Sequence, residues 1–253
     1  MALIETESII LKSYNLAEAD KIVVFLSEDH GMIRGVAKGA KRLKSKFGSG
    51  LEPFSIVRIT YKQKESVELV GIDKTEIVRS HFASASDPDF LARFAYLGDL
   101  LITFSPPHDP NNTLYRMVRS CLDAAAGIPV SLLGIGVYFE LWLLRLSGYL
   151  PEWTKCAKCK RSFDDEEIAK FGSNFYLYCS NCSRPGESTA VDSRLRYLFA
   201  SAQRLSPAEF AISSASDRSH LAALSTLLKR IISQSAGKSV AMEKSMPSHT
   251  GAN

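Results

Sequence analysis

In the first part of the chain hydrophobic residues gather in five short runs, one of them plainly alternating; after Phe82 the period changes. In the clearest stretch Val57, Ile59 and Tyr61 alternate with Arg58, Thr60 and Lys62, the period of a strand with one face inward and one outward. That run, 54–62, joins four others at 8–12, 21–26, 32–38 and 67–72, most of them rich in β-branched and aromatic residues. Turn signals separate the runs: Glu28-Asp29-His30-Gly31, Gly48-Ser49-Gly50 and Lys62-Gln63-Lys64-Glu65. Five short strands in about eighty residues suit a small closed barrel, for which the five-stranded OB fold is the common solution.

The second part reads as helices. Asp87 as N-cap, Pro88 at the first turn and Pro106-Pro107 past the end bracket a helix over 89–104. Further helices are expected at 112–126, 130–148, 191–204, 207–214 and 217–235, with Asp192 and Asp217 as N-caps. The 130–148 segment is the most apolar. Glu140 and Arg145 interrupt it and Gly134, Gly136 and Gly148 loosen it, so it reads as a core helix and not a membrane span. From Ala236 to the end, Ser, Gly, Lys, Pro and His are frequent, the composition of a disordered tail over 236–253. No internal repeat is present. The expected architecture is α+β multidomain: an N-terminal five-stranded OB-fold β-barrel over 1–80, then an all-α domain over 81–235.

Between the third and fourth helices lies a segment of different chemistry, 151–187. Cys156 and Cys159 form one Cys-x-x-Cys knuckle, Cys179 and Cys182 a second, with nineteen residues between them. Two such knuckles at this spacing suit one tetrahedral zinc ion. Four thiolates close the coordination sphere and leave no place for a reactive water, so one structural zinc is expected and not a catalytic one. A thioredoxin-like redox role is disfavoured, because neither knuckle sits in a βαβ pattern. Between the knuckles, Asp164-Asp165-Glu166-Glu167 reads as a solvated turn. Phe171, Phe175, Tyr176 and Tyr178 read as a hairpin turning at Gly172-Ser173-Asn174. Cys121 stands apart beside an Ala-rich stretch and reads as buried and inert.

Composition adds bounds. At 253 residues and 45% hydrophobic, the chain can hold one large or two modest cores. The N-terminus lacks a basic run followed by an apolar one, so no signal peptide is expected and a cytoplasmic location follows, where thiols stay reduced. Net charge is only +4, but its distribution is uneven. From Arg34 to Lys64 nine basic residues (Arg34, Lys38, Lys41, Arg42, Lys44, Lys46, Arg58, Lys62, Lys64) face one acidic residue, Glu52, a local charge of +8. That is the footprint of a polyanion-binding face. Phe47, Phe54 and Tyr61 are interleaved with these charges. Such rings can stack on bases, although Phe54 and Tyr61 fit the barrel core better. No Walker-type phosphate loop is present.

Several stretches matter in combination. They are Ser8-Ile9-Ile10-Leu11-Lys12 with Glu18-Ala19-Asp20-Lys21, and Gly35-Val36-Ala37-Lys38-Gly39-Ala40-Lys41-Arg42. Lys44-Ser45-Lys46-Phe47 leading into Leu51-Glu52-Pro53-Phe54 follows, and Leu146-Ser147-Gly148-Tyr149-Leu150-Pro151 runs into the first knuckle. In this order they resemble the RecO family of bacterial recombination mediators. The resemblance covers about residues 5–235 and includes the order barrel, helices, zinc module, helices. It implies binding of single- and double-stranded DNA, annealing of complementary strands, and partnership with RecR and single-stranded-DNA-binding protein, leading to RecA loading. A nucleoid-associated place in the cytoplasm and no membrane partner go with it. The family's basic barrel residues map onto Lys38, Lys41, Arg42, Lys44 and Lys46. Arg34, Arg58 and Lys62 belong to the same basic segment, and Arg194 and Arg196 could extend the basic face. Lys160 departs from the glycine expected after the first knuckle.

Two rivals remain. One is a zinc-ribbon and OB-fold RNA-binding or transcription-associated factor, since OB folds also bind RNA. The other is an enzyme. No nucleophile motif, carboxylate pair or nucleotide loop supports it. His30, His81, His108, His220 and His249 are scattered and read as turn or surface residues.

Overall fold

The structure is a computed structural model. It describes residues 2–63, 68–81, 84, 86–127, 131–183 and 189–245; Lys64, Val67, His249 and the end of the zinc segment at 184–187 lie outside them. Backbone contacts group the chain into two compact units, Met1–Pro129 and Val130–Asn253.

The first unit holds the expected barrel. Its strands are β1 (Ala2–Leu16), β2 (Asp20–Ser27), β3 (Gly31–Ala37), β4 (Ile56–Gln63) and β5 (Val70–Arg79). They close in the order β1-β2-β3-β5-β4, and β4 returns to β1. All pairs are antiparallel except β3 with β5. Closure depends on the length of β1, whose first half pairs with β4 and whose second half pairs with β2. A register shift between Ile10 and Lys12 bends it where the partners change, as bulges do at barrel corners. Ile10, Val23, Phe25, Ile33, Val57, Ile59, Tyr61, Val70 and Ile72 fill the interior. Strands β1 and β5 run longer than the hydrophobic runs at 8–12 and 67–72, because Glu5, Glu7, Lys74 and Glu76 place polar groups on their outer faces. Arg58 reaches Glu5, and Lys74 pairs with Glu76.

Two helices complete this unit, α1 (Pro88–Phe104) and α2 (Asn112–Gly127). The Asp87 side chain accepts from the Asp89 N–H at 2.9 Å, capping α1 as expected. Phe90 and Phe94 of α1 pack against Phe54, with the Phe54 and Phe94 ring centroids 5.7 Å apart. Helix α2 docks through a polar node on β1: the Tyr115 hydroxyl donates to Glu7 at 2.7 Å, and Arg119 pairs with the same carboxylate. Cys121 is fully buried in α2, and burial pushes its thiol well above the usual range. His81 departs from the surface position expected of it: it is buried, and its Nε2 has no hydrogen-bond partner, with Asp123 3.7 Å away.

The second unit contains α3 (Leu132–Leu146), a small sheet of β6 (Ala169–Phe171), β7 (Leu177–Tyr178) and β8 (Ala190–Val191), and helices α4 (Ser193–Ala202), α5 (Pro207–Ser213) and α6 (Arg218–Ser245). Helix α3 is buried on nearly every side, which explains why its sequence is apolar all round apart from Glu140 and Arg145. Glu140, its one buried acid, accepts from Ser225 of α6 at 2.9 Å. Asp192 caps α4, and Ser206 with Glu209 forms a capping box on α5. Asp217 stands directly before α6, its carbonyl accepting from the Leu221 N–H at 2.8 Å, while its carboxylate is gripped by Arg194. Helix α6 is also longer than expected. It continues through the start of the 236–253 tail to Ser245, since Ala241-Met242-Glu243-Lys244 are good helix formers. Residues 246–253 lie outside the described residues. Among the described residues no helix is long and apolar enough to cross a membrane.

Candidate nucleic-acid interface and candidate metal centre

The segment joining β3 to β4 carries Lys38, Lys41, Arg42, Lys44 and Lys46, and it is held in place. Its backbone makes a chain of tight turns. The Arg42 N–H donates to Gly39, Ser45 to Arg42, Gly48 to Ser45, Gly50 to Phe47, Glu52 to Ser49 and Ser55 to Glu52, all at 2.9–3.4 Å. Its start is braced by the β1–β2 turn: the Gly39 N–H donates to the Asp20 carboxylate at 2.8 Å and the Lys41 N–H to the Ala19 carbonyl at 2.9 Å. Gly39 has φ +73°, a conformation glycine adopts freely. Phe47 and Leu51 turn inward and join the barrel core, with Ala40 packed against it. Burying a side chain of that size contributes about 1.5–3 kcal/mol, enough to hold a polar loop against the barrel. Phe47, Phe54 and Tyr61 are therefore all core residues, each 0–3% exposed, and none is a stacking platform. For Phe47 this corrects the sequence reading, which left it available to bases.

The ten basic residues expected at the interface fall into two groups. Arg34 on β3, Lys38 at its end, and Lys41, Arg42 and Lys44 on the turns are all exposed, and none forms an ion pair among the described residues. Lys41 alone makes a long contact, to the Ala17 carbonyl at 3.5 Å. The other five are engaged. Lys46 and Lys62 share Asp73, at 3.4 and 3.7 Å. Arg58 faces Glu5 at 3.7 Å. Arg194 forms a two-pronged pair with Asp217, at 2.8 and 2.5 Å, and lies over the Tyr197 ring. Arg196 donates to the carbonyls of Glu167, Asp164 and Val191, tying the cysteine-bearing segment to α4. The pairs on Lys46, Lys62 and Arg58 are exposed and weak, whereas the donors of Arg194 and Arg196 are committed to the fold.

The four cysteines converge as their spacing requires. The sulfurs of Cys156, Cys159, Cys179 and Cys182 all lie within 4.8 Å of one another, and Cys159 and Cys179 are 3.9 Å apart. Metal–sulfur bonds of about 2.3 Å in a tetrahedron give edges of about 3.8 Å, so the donor set fits one soft tetrahedral cation. Burial opposes ionisation of Cys156, but N–H groups around its sulfur outweigh it and bring the thiol down to about 6. The Cys179 N–H donates to that sulfur at 3.4 Å. The first knuckle closes through the Lys160 N–H to the Cys156 carbonyl at 2.9 Å, with Lys160 at φ +64°. That is the left-handed geometry for which glycine was expected. The predicted hairpin is β6–β7, turning at 172–176. In the acidic run, Glu167 is half-buried and paired: Arg161 grips it at 2.7 and 2.5 Å and holds its carboxyl below the usual range. Trp153, which the sequence reading passed over, ties the parts together. It stacks on Phe199 of α4 with centroids 4.2 Å apart and donates to the Phe175 carbonyl at 2.9 Å. Its place just before the knuckle in a polar stretch was the available signal.

Sequence models of recombination protein O match almost the whole chain, the N-terminal one over residues 1–81 and the C-terminal one over 85–242. The chain belongs to the RecO family. Proteins named DNA repair protein RecO are similar to it. That of Koribacter versatilis is 31% identical over 165 residues, 64% of this chain and 65% of its own length. That of Geobacter metallireducens is 29% identical over 188 residues, 74% of this chain and 75% of its own. That of Anaeromyxobacter sp. strain K is 25% identical over 183 residues, 72% and 71%. RecO membership agrees with the architecture: an OB-like closed barrel, then helices around a four-cysteine centre able to hold a metal.

Proposed function

We propose that this RecO-family protein is a DNA-repair and recombination mediator that binds single- and double-stranded DNA through its barrel and anneals complementary strands. The observation that carries the reading is a set of cations, exposed and without ion pairs: Arg34 on β3, Lys38 just past its end, and Lys41, Arg42 and Lys44 on the braced, glycine-containing turn chain. Two DNA strands repel each other, and a cationic surface that holds both lowers that barrier without covalent chemistry. Contacts of this kind position the backbone and do not read sequence. The cysteine centre holds one structural zinc in this reading; a closed set of four thiolates supplies folding energy and no reactive site. Family membership supports RecR and single-stranded-DNA-binding protein as partners, with RecA loaded as the outcome.

The test is annealing of complementary strands coated with single-stranded-DNA-binding protein, with and without RecR, by the native protein and by Lys41→Glu/Arg42→Glu/Lys44→Glu. The triple reversal is expected to abolish annealing and to flatten the salt dependence of single-strand binding by about two units of log–log slope, at about 0.7 per phosphate contact. Unchanged annealing and slope would remove the loop from the interface. Competition by RNA of the same sequence at equal strength would favour an RNA-binding role instead.

A further inference from the structure

Leu43 is the most exposed large apolar side chain among the described residues, at 102% of its reference exposure; the next, Leu3, is at 62%. Its position is not an accident of a loose loop. It is the first central residue of the turn closed by the Ser45 N–H to Arg42, which follows directly on the turn closed by the Arg42 N–H to Gly39. Ala40 and Phe47 anchor the same turn chain to the barrel core. The fold therefore spends its nearby apolar residues inward and leaves this one in water. A leucine held in solvent contributes nothing to folding, since its burial is worth about 1.5–3 kcal/mol only when another surface covers it. Its immediate neighbours Lys41, Arg42 and Lys44 are exposed and free of ion pairs, so the surface presented is a single apolar tip ringed by positive charge.

We infer that Leu43 is a wedge that rests against the bases of DNA whose backbone the flanking cations hold. The inference rests on the proposed DNA-binding role of this loop and adds to it a contact with the bases. Apolar side chains carried next to cations insert between base steps and unstack them. In single-stranded DNA the bases are already accessible, so a leucine tip covers a base face without melting a duplex. All three rings near the loop are buried, which leaves Leu43 as the apolar group of the turn chain available for that contact. For annealing the consequence is direct: a strand with its bases parted from one another presents its pairing edges to a complement.

The experiment uses the full chain with an oligonucleotide carrying one 2-aminopurine between adenines, whose fluorescence is quenched by stacking. Native protein is expected to raise the fluorescence on binding. Leu43→Ser should remove that rise and weaken single-strand affinity about tenfold, the loss of one buried leucine contact, while keeping the salt slope. Leu43→Met should retain both signals. The position is fully exposed, so neither variant disturbs the core, and unfolding midpoints check this. Equal fluorescence and affinity in Leu43→Ser and native protein overturn the wedge while leaving the basic loop as the binding surface. Lys41→Glu/Arg42→Glu/Lys44→Glu separates the two ideas: if it binds as tightly as native protein, the loop reading itself fails.

Discussion

Lys160 pairs a family-like turn with an unusual residue. Its φ of +64° closes the first knuckle, a conformation that costs an L-residue roughly 1–2 kcal/mol and glycine little. Part of that gain is returned by the greater freedom of glycine in the unfolded chain. Lys160→Gly should therefore stabilise the metal-loaded protein by up to about 1 kcal/mol and raise its thermal midpoint by about 2–4 °C; a lower midpoint would show that the lysine side chain matters. His81 makes a pH prediction. Burial holds its imidazole below the ordinary value of 6.5, and Arg79 adds to the effect against the pull of Asp123. The unfolded chain takes up a proton as pH falls through 6.5 while the folded imidazole stays neutral, so stability declines below 6.5 until the folded value is passed. His81→Gln should lose stability less steeply than native protein between pH 7.5 and 5.5 in urea titrations. Parallel declines would show that His81 is not the group responsible. Neither feature was legible in the same way. The knuckle turn announced itself through the spacing of Cys156 and Cys159, whereas nothing around His81 in the sequence marks it as buried.

At the scale of elements, alternation in β4 and the caps at Asp87 and Asp192 were readable because each depends on neighbours in sequence. Register and closure were not, since the change of partner along β1 at Ile10/Lys12 depends on strands far apart in the chain. The β3–β4 connection shows the same limit. Its glycines and lysines read as a basic polyanion-binding stretch, but nothing in them marks the chain of turns and the buried ring of Phe47 that make it part of the barrel. That predicts two unequal truncations four positions apart. Phe47→Ala should cost about 3–5 kcal/mol, as emptied aromatic core sites do, whereas Leu43→Ala should leave stability within about 0.5 kcal/mol, as exposed sites do. Equilibrium urea unfolding compares them. Similar losses in both would mean that the loop is not anchored through Phe47.

For the molecule as a whole, charge and metal divide between two regions of the chain. The basic excess was visible in composition from Arg34 onward, but which cations are free was not: that depends on Asp73, Glu5 and Asp217, each brought in by folding. The four cysteines were legible at once, and their spacing alone carried the metal reading. Their structural setting was not, because Trp153 meets Phe171 edge-on and stacks on Phe199 only when the hairpin meets α4. If the thiolates clamp this module while the barrel loop handles DNA, removing the metal should separate the two properties. Cys179→Ser, or chelation of native protein, removes a contribution of about 10–16 kcal/mol to local folding. Trp153 should then lose its stack on Phe199 and its emission should shift to longer wavelength. The salt slope of single-strand binding should stay as in native protein, because Arg34, Lys38, Lys41, Arg42 and Lys44 all lie outside the module. A slope reduced by about 0.7 or more, the share of at least one phosphate contact, would instead place part of the DNA-binding surface on the metal-bearing segment. An unchanged tryptophan spectrum after full metal loss would mean that the aromatic stack, and not the metal, holds the hairpin to α4.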